Sequence, residues 1–376
     1  MLSGLAVLVL SACSGDGAGS WDFDPTVCAP SASMSRWAPP EASYSLTATY
    51  GRGEDEALMD VWGIAAAPSG VLVYDAGATQ VLEFDTALRP TAVYGREGSG
   101  PGEFSYQRAI HGDWLAADGA RFFVFEYRGI SQFKIGGGFQ RFVSRRVEFP
   151  ETVGAIAPFD GGLLYASDRI DRQTGERSLQ FWFLSLDGES EAKLWRTQPM
   201  PRLPGAGGRY VRGVFVGQGE PLWSSSGSCL FVSDGSSPWL LRVTADAKGG
   251  TDTIPLPALS PPEPTEEDER ELARLRARAA AVGINTGSDG LKPTAPARWS
   301  SMAVDPDGFV WIALTAHLAS QDRPRRVLVV NPATGASREV VVPRFPGVFL
   351  RDGSYVSLWH DPEWGAAVLE KYSSSR

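Results

Sequence analysis

Three histidines, His111, His317 and His360, and four acids at the ends of apolar runs, Asp75, Glu126, Asp168 and Asp234, are the side chains best suited to hold an ion or a polar ligand. Neutral imidazole is the commonest zinc ligand, so three histidines around one axis would make a zinc site. Carboxylates from several segments would suit a hard cation such as calcium instead; Asp75, Glu126 and Asp168, with His111, are the metal candidates. Arg108, Arg128, Arg169 and Arg298 could meet anionic groups, and Trp62 and Trp299 could offer flat apolar surface to a ligand. None of these residues falls in a G-x-S-x-G elbow, a Walker loop or an H-E-x-x-H motif. Asp305-Pro306-Asp307-Gly308 starts like a calcium loop but lacks the later ligands and the closing Glu, so it reads as a hairpin turn.

What these side chains can do depends on the elements that carry them. The 376 residues include 42 Gly, 27 Pro and 40 aromatics (18 Phe, 12 Trp, 10 Tyr), a composition of many short strands and tight turns. A net charge of −9 without a Lys/Arg stripe argues against a nucleic-acid surface, which needs clustered cations to displace counterions. Thr47-Ala48-Thr49-Tyr50-Gly51-Arg52 recurs as Thr91-Ala92-Val93-Tyr94-Gly95-Arg96, and a displacement of 44 residues is the length of one four-stranded propeller blade. Between the copies lies one unit: an inner strand at 63–66, a second at 71–75, a third at 80–85 and a fourth at 91–94. Further second strands are read at 122–126, 163–168, 230–234, 310–314 and 355–359, which makes six units. The last supplies only three strands, at 347–350, 355–359 and 366–372, and Tyr44 to Tyr50 can add the fourth. The fold expected is therefore an all-β six-bladed propeller over 42–376, its seam closed by an N-terminal strand so that no sheet edge stays open.

The loop Gly98-Ser99-Gly100-Pro101-Gly102-Glu103-Phe104, the strand ending in Asp75 and the strand ending in Phe84-Asp85 resemble the repeat of NHL-type six-bladed propeller proteins. The resemblance covers about 44–130. The Asn and Arg that usually follow the Asp of that repeat are replaced by Ala78, Thr79 and Gln80, so no family ligand is carried over.

Residues 1–12 read as a signal peptide, with an apolar core from Leu5 to Leu10 too short to span a bilayer. Leu10-Ser11-Ala12-Cys13 resembles a bacterial lipobox, which implies lipidation of Cys13, and 13–41 is a tether. An exported protein anchored to a membrane by lipid alone is the expectation. Cys28 and Cys229 could pair in an oxidising compartment or stay as buried thiols. The stretch 258–297 is an insertion between units, with a helix near 263–283 that starts at Thr265 and presents Leu272, Leu275, Ala279 and Val282 on one face; it is either a lid or a solvated surface helix.

In a propeller, the blade-to-blade loops and the loops after each second strand emerge on one face. That rule places Trp62, Arg108, His111, Arg298 and Trp299 at inner-strand starts, and Asp75, Glu126, Arg128, Asp168, Arg169, Asp234, His317 and His360 at second-strand ends. Propeller lyases that hold zinc on inner-strand histidines are matched only by His111, and propeller lactonases suggest calcium on the acids. A terminal Asp more often satisfies turn amides, and most aromatics must fill the space between blades. The leading reading is a non-enzymatic cell-envelope lipoprotein that binds a small ligand or an envelope protein on this face and needs no cofactor. The alternative is a propeller hydrolase of lactonase or esterase type, or a lyase, with calcium or zinc in the channel.

Overall fold

Strands buried on both faces read as continuous apolar runs, whereas outer strands alternate. Both patterns are visible in the computed structural model, which describes residues 28, 44–53, 57–104, 114–126, 129–144, 152–170, 177–186, 191–196, 222–233, 235, 237–244, 251–260, 265–267, 269–270, 273–274, 277, 299–314, 324–360 and 366–374. The second strands Gly70–Asp75 and Val310–Leu314 are buried at every position, while the outermost strand Thr251–Pro255 alternates exposed and covered residues.

Among the described residues, twenty-four strands form six four-stranded antiparallel sheets. Blade 1 is β2 (Val61–Ala67), β3 (Gly70–Asp75), β4 (Gln80–Asp85) and β5 (Pro90–Tyr94). Blade 2 is β6 (Leu115–Asp118), β7 (Arg121–Glu126), β8 (Gly129–Lys134) and β9 (Gly138–Ser144). Blade 3 is β10 (Thr152–Phe159), β11 (Gly162–Ile170), β12 (Arg177–Leu184) and β13 (Glu191–Arg196). Blade 4 is β14 (Leu222–Ser226), β15 (Cys229–Ser233), β16 (Trp239–Thr244) and β17 (Thr251–Pro255). Blade 5 is β18 (Trp299–Val304), β19 (Val310–Leu314), β20 (Arg325–Val330) and β21 (Ser337–Val342). Blade 6 is β22 (Val348–Phe349), β23 (Tyr355–His360) and β24 (Ala367–Ser374), completed by β1 (Tyr44–Tyr50) from the other end of the chain.

The β1–β24 register runs from Tyr44 opposite Ser374 to Tyr50 opposite Leu369, with an irregularity between Leu46 and Ala48. This is the closure expected from the sequence, and it covers the edge of β24 that would otherwise stand open. Arg52, just past β1, donates to Glu370 on β24 at 2.7 Å.

Every blade boundary holds its own apolar packing, which is what makes the ring continuous. Phe84 and Val73 meet Val356 and Leu369 between blades 1 and 6. One cluster runs through blades 1, 2 and 3, and others join blades 3 to 4, 4 to 5 and 5 to 6. The Asp305 turn is a hairpin as expected: the Gly308 and Phe309 amides donate to its carbonyl and carboxylate, at 3.0 and 2.9 Å.

Cys28 and Cys229 form a disulfide with Cα atoms 5.8 Å apart, which resolves the two alternatives for these cysteines in favour of pairing. In the insertion, helical residues occur at 266–267, 269–270, 273–274 and 277, and the Glu269 amide donates to the Thr265 carbonyl at 3.1 Å. The apolar positions Leu272, Leu275, Ala279 and Val282 lie outside the described residues. No helix among the described residues is long and apolar enough to cross a membrane.

Candidate functional site

The face on which β2 and β6 begin and β3 and β7 end gathers the described candidates. Asp75, at the end of β3, is 1% exposed and folded back onto the chain that leads into β2. Its carboxylate accepts from the Met59 and Asp60 amides, each at 3.0 Å, and from the Ala78 amide at 3.3 Å. Both oxygens are thus committed to two loops, which is the turn-stabilising use of a terminal Asp. A metal ion would have to displace those amides.

Glu126 occupies the corresponding place at the end of β7 and is used differently. It is half-buried, and the Ser131 hydroxyl of β8 donates to Oε1. Oε2 has no hydrogen-bond partner among the described residues. Burial pushes this carboxyl above the usual glutamate range, and the Ser131 bond opposes the shift only in part. Tyr74, one blade away, is also pushed up, first by burial and then by the negative charges of Glu126, Asp75 and Asp60.

Beside this acid runs an arc of aromatic rings through three blades. Trp62 meets Tyr74 edge-on at 6.4 Å and Trp114 at 4.7 Å. Trp114 meets Phe125 at 5.9 Å, Phe125 meets Tyr165 at 6.1 Å, and Tyr165 stacks on Trp182 at 6.3 Å. The backbone ties the arc together: the Trp114 amide donates to Trp62 O at 2.8 Å, and the Phe125 amide to Trp114 O at 2.9 Å. The Trp114 indole N–H is buried with no hydrogen-bond partner among the described residues. Apart from Trp182, the rings of this arc are 4% exposed or less, so they fill the space between blades behind the strand ends, and Glu126 is the group there suited to a cationic or hydrogen-bond-donating partner.

The remaining candidates divide into those placed and those not. Trp62 and Trp299 are 4% and 1% exposed, so both belong to the packing between blades rather than to a presented surface. The Trp299 indole donates to Ser237 O at 3.0 Å. His360 is exposed at the end of β23. Asp168 and Arg169 lie in β11, opposite Leu179 and Ser178 of β12. Cys13, Arg108, His111, Arg128, Asp234, Arg298 and His317 lie outside the described residues. Among the described residues, no three of His, Cys, Asp and Glu come together in a way that could hold a metal ion.

Sequence reasoning did not single out Ser131, Trp114, Tyr74 or Asp60, nor a second cluster on the same face of blade 6. There the 3%-exposed Glu370 side chain accepts from Arg52 and Arg344, each at 2.7 Å, and from the Tyr372 hydroxyl at 2.6 Å. The Arg344 guanidinium lies 3.9 Å from the centre of the Trp359 ring, and that of Arg52 5.8 Å. Burial alone would raise the Glu370 carboxyl, but the Tyr372 hydroxyl and the two guanidiniums outweigh it and hold the group below the usual range. The repeated Tyr-Gly-Arg was a signal for Arg52; nothing in the sequence pointed to Glu370.

No protein-family model matches the chain, and no curated protein matches it. Among solved structures it is similar to a member of the DUF4221 family from Bacteroides vulgatus, with 11% identity, a TM-score of 0.53, and coverage of 90% of this chain and 100% of that one. A candidate exported protein from Bacteroides fragilis matches at 10% identity with a TM-score of 0.48, over 89% of this chain and 95% of that one. Myxococcus xanthus glutaminyl cyclase matches at 14% identity with a TM-score of 0.32, over 81% of this chain and 100% of that one. At 11% identity the likeness to the DUF4221 structure bears on the fold alone.

Proposed function

We propose that this chain is an exported, non-enzymatic binding protein of the cell envelope, of NHL type, whose recognition surface is the face where the inner strands begin. The observation that carries the binding reading is Glu126, a half-buried carboxylate whose Oε2 has no hydrogen-bond partner among the described residues. Asp75, at the equivalent strand end, is spent on turn amides, so the two acids have separate tasks. The disulfide supports export, because such bridges form and persist in oxidising compartments. The closed Gly98–Phe104 loop supports the NHL kinship: the Phe104 amide returns to Arg96 O at 2.8 Å, and its ring is fully buried against Tyr74 and Phe133. Anchoring through Cys13 completes the proposal, and Cys13→Ser is expected to move the protein from the membrane fraction to the soluble one.

The binding role is tested by comparing what wild type and Glu126→Gln capture from envelope extracts, together with the metal content and lactone and ester turnover of the purified chain. The proposal expects a metal-free, inactive protein whose capture falls with Glu126→Gln. A stoichiometric ion with turnover would instead establish the hydrolase or lyase reading. Capture unchanged by the substitution would remove Glu126 from the site.

A further inference from the structure

We propose that the mouth between blades 1 and 2 takes a primary ammonium group, held by Glu126 Oε2, the Tyr74 hydroxyl and the Asp60 carboxylate. The inference rests on the binding reading above and names the chemistry of what binds there: an organic amine, free or as a lysine side chain.

Strand alternation puts Glu126 and Tyr74 at the same blade boundary. Phe122 of β7 meets Tyr94 of β5 at 5.0 Å, so it faces blade 1, and Glu126, four residues along a strand of unbroken register, faces the same way. Tyr74 of β3 packs on Phe104 at 5.5 Å, and Phe104 on Phe133 of blade 2 at 5.5 Å, so Tyr74 faces blade 2. Both residues stand at the ends of their strands, on the recognition face. Asp60 arrives there from the chain leading into β2. Its amide donates to Asp75 at 3.0 Å and its carbonyl accepts from the Ala76 amide at 2.8 Å, which fixes it beside the end of β3.

What these groups lack is a donor and a positive charge. Tyr74 is 3% exposed, and its hydroxyl has no hydrogen-bond partner among the described residues, a condition that buried polar atoms seldom tolerate. Glu126 Oε2 and the Asp60 carboxylate are likewise without a hydrogen bond or ion pair among the described residues. Burial comes first in raising the Tyr74 hydroxyl and the charges of Glu126, Asp75 and Asp60 come next, so three carboxylates lie within electrostatic reach of one oxygen. An ammonium group brings one positive charge and three N–H donors, which is what the mouth is short of. A metal ion fits poorly: the Asp75 oxygens are committed to amides, and no three ligating side chains come together among the described residues. A neutral hydroxyl would supply a donor but leave the charge uncompensated.

Calorimetric titration of the full chain at matched ionic strength tests this with two ammonium probes, putrescine and the blocked peptide acetyl-Gly-Lys-Gly-amide. Butanediol and the same peptide acetylated on its lysine are the neutral controls. An ammonium probe is expected to bind saturably, one per chain, and the neutral controls not to bind; the tighter of the two probes marks the source as a free amine or a lysine side chain. Glu126→Gln should weaken binding about ten-fold or more, and Tyr74→Phe, which removes only the unpartnered hydroxyl, about five-fold. Glu103→Gln, in the exposed Arg96 bridge, should leave it unchanged. No saturable binding of either ammonium probe would overturn the inference. Equal losses in Glu126→Gln and Glu103→Gln would overturn it too, since they would reflect only the general attraction of a chain of net charge −9 for cations. Extract capture that falls with Glu126→Gln while neither ammonium probe binds would overturn the amine chemistry and leave the binding reading intact.

Discussion

Thr47-Ala48-Thr49-Tyr50-Gly51-Arg52 and Thr91-Ala92-Val93-Tyr94-Gly95-Arg96 do the same local job and opposite long-range ones. Each ends an outermost strand, β1 or β5. Each places its Tyr against a third-strand Phe of the next blade, Tyr50 on Phe84 at 4.7 Å and Tyr94 on Phe133 at 6.4 Å. Each then turns through a glycine at positive φ, +97° at Gly51 and +77° at Gly95. A side chain at Gly51 would strike the Ala367 carbonyl of β24, 2.5 Å away, and one at Gly95 would strike the Phe104 ring at 2.1 Å. The arginines separate the two copies. Arg96 pairs with Glu103, seven residues on and in its own loop, in a mostly exposed bridge. Arg52 reaches Glu370, 318 residues away and 3% exposed. One local sequence thus makes a self-contained blade edge in one place and the fastening of the whole ring in the other, according to which strand lies beside it.

The sharpest way to break this comparison is to remove the first copy. Deleting 44–50 exposes the edge of β24 and strips the cover from Tyr355 and Phe84, so the account expects loss of the cooperative unfolding transition, read by calorimetry. A chain lacking these residues that still unfolds cooperatively near the wild-type midpoint would mean that the ring does not depend on β1.

Next in size is the contrast between the two carboxylates. Glu370→Ala leaves Arg344 and the Tyr372 hydroxyl facing a buried gap and is expected to cost about 2–3 kcal/mol in denaturant unfolding, below the fully buried figure because Arg52 is half exposed. Glu103→Ala, in the exposed copy, should leave the unfolding midpoint almost unmoved. Equal losses would erase the distinction between seam and ordinary edge.

Much of this organisation was legible in the sequence, for physical reasons. Second strands such as Val71-Leu72-Val73-Tyr74 lie between two neighbouring blades, so both faces are apolar and the run is continuous. The seam was legible because the repeat left one strand missing at the end of the chain and one spare at the start. The candidate site was much less so. Asp75 and Glu126 end equivalent strands, but only the path of Met59 and Asp60 decides that Asp75 is consumed by amides. Trp62 and Trp114 touch because adjacent inner strands bring them within 4.7 Å, a contact that no spacing in the chain encodes. Glu370 sits inside the largely apolar run of β24, and its two arginine partners come from distant segments. The Cys28–Cys229 pairing likewise follows from the ring, which brings together positions 201 residues apart.

The smallest effect is the pH dependence of the seam. The Glu370 carboxyl lies below its ordinary value in the folded chain, so its stabilisation is fully present above the unfolded value, about 4.3, and is lost as the pH falls through the folded one. Wild type should therefore lose more stability than Glu370→Gln on acidification from pH 6 to pH 3, measured as the change in unfolding midpoint. Parallel pH profiles would show that Glu370 is not the titrating fastener.

The central claim is that β1 completes blade 6 beside β24. Ser45 and Ser373 stand opposite each other in that register, and directly opposed residues of an antiparallel pair lie about 4.5–5.5 Å apart at Cα, within disulfide reach. In a Cys13→Ser background with the native bridge intact, Ser45→Cys with Ser373→Cys should oxidise to one intramolecular crosslink, joining the first and last strands in a peptide map. Free thiols at both positions, or a crosslink only between molecules, would contradict the closure.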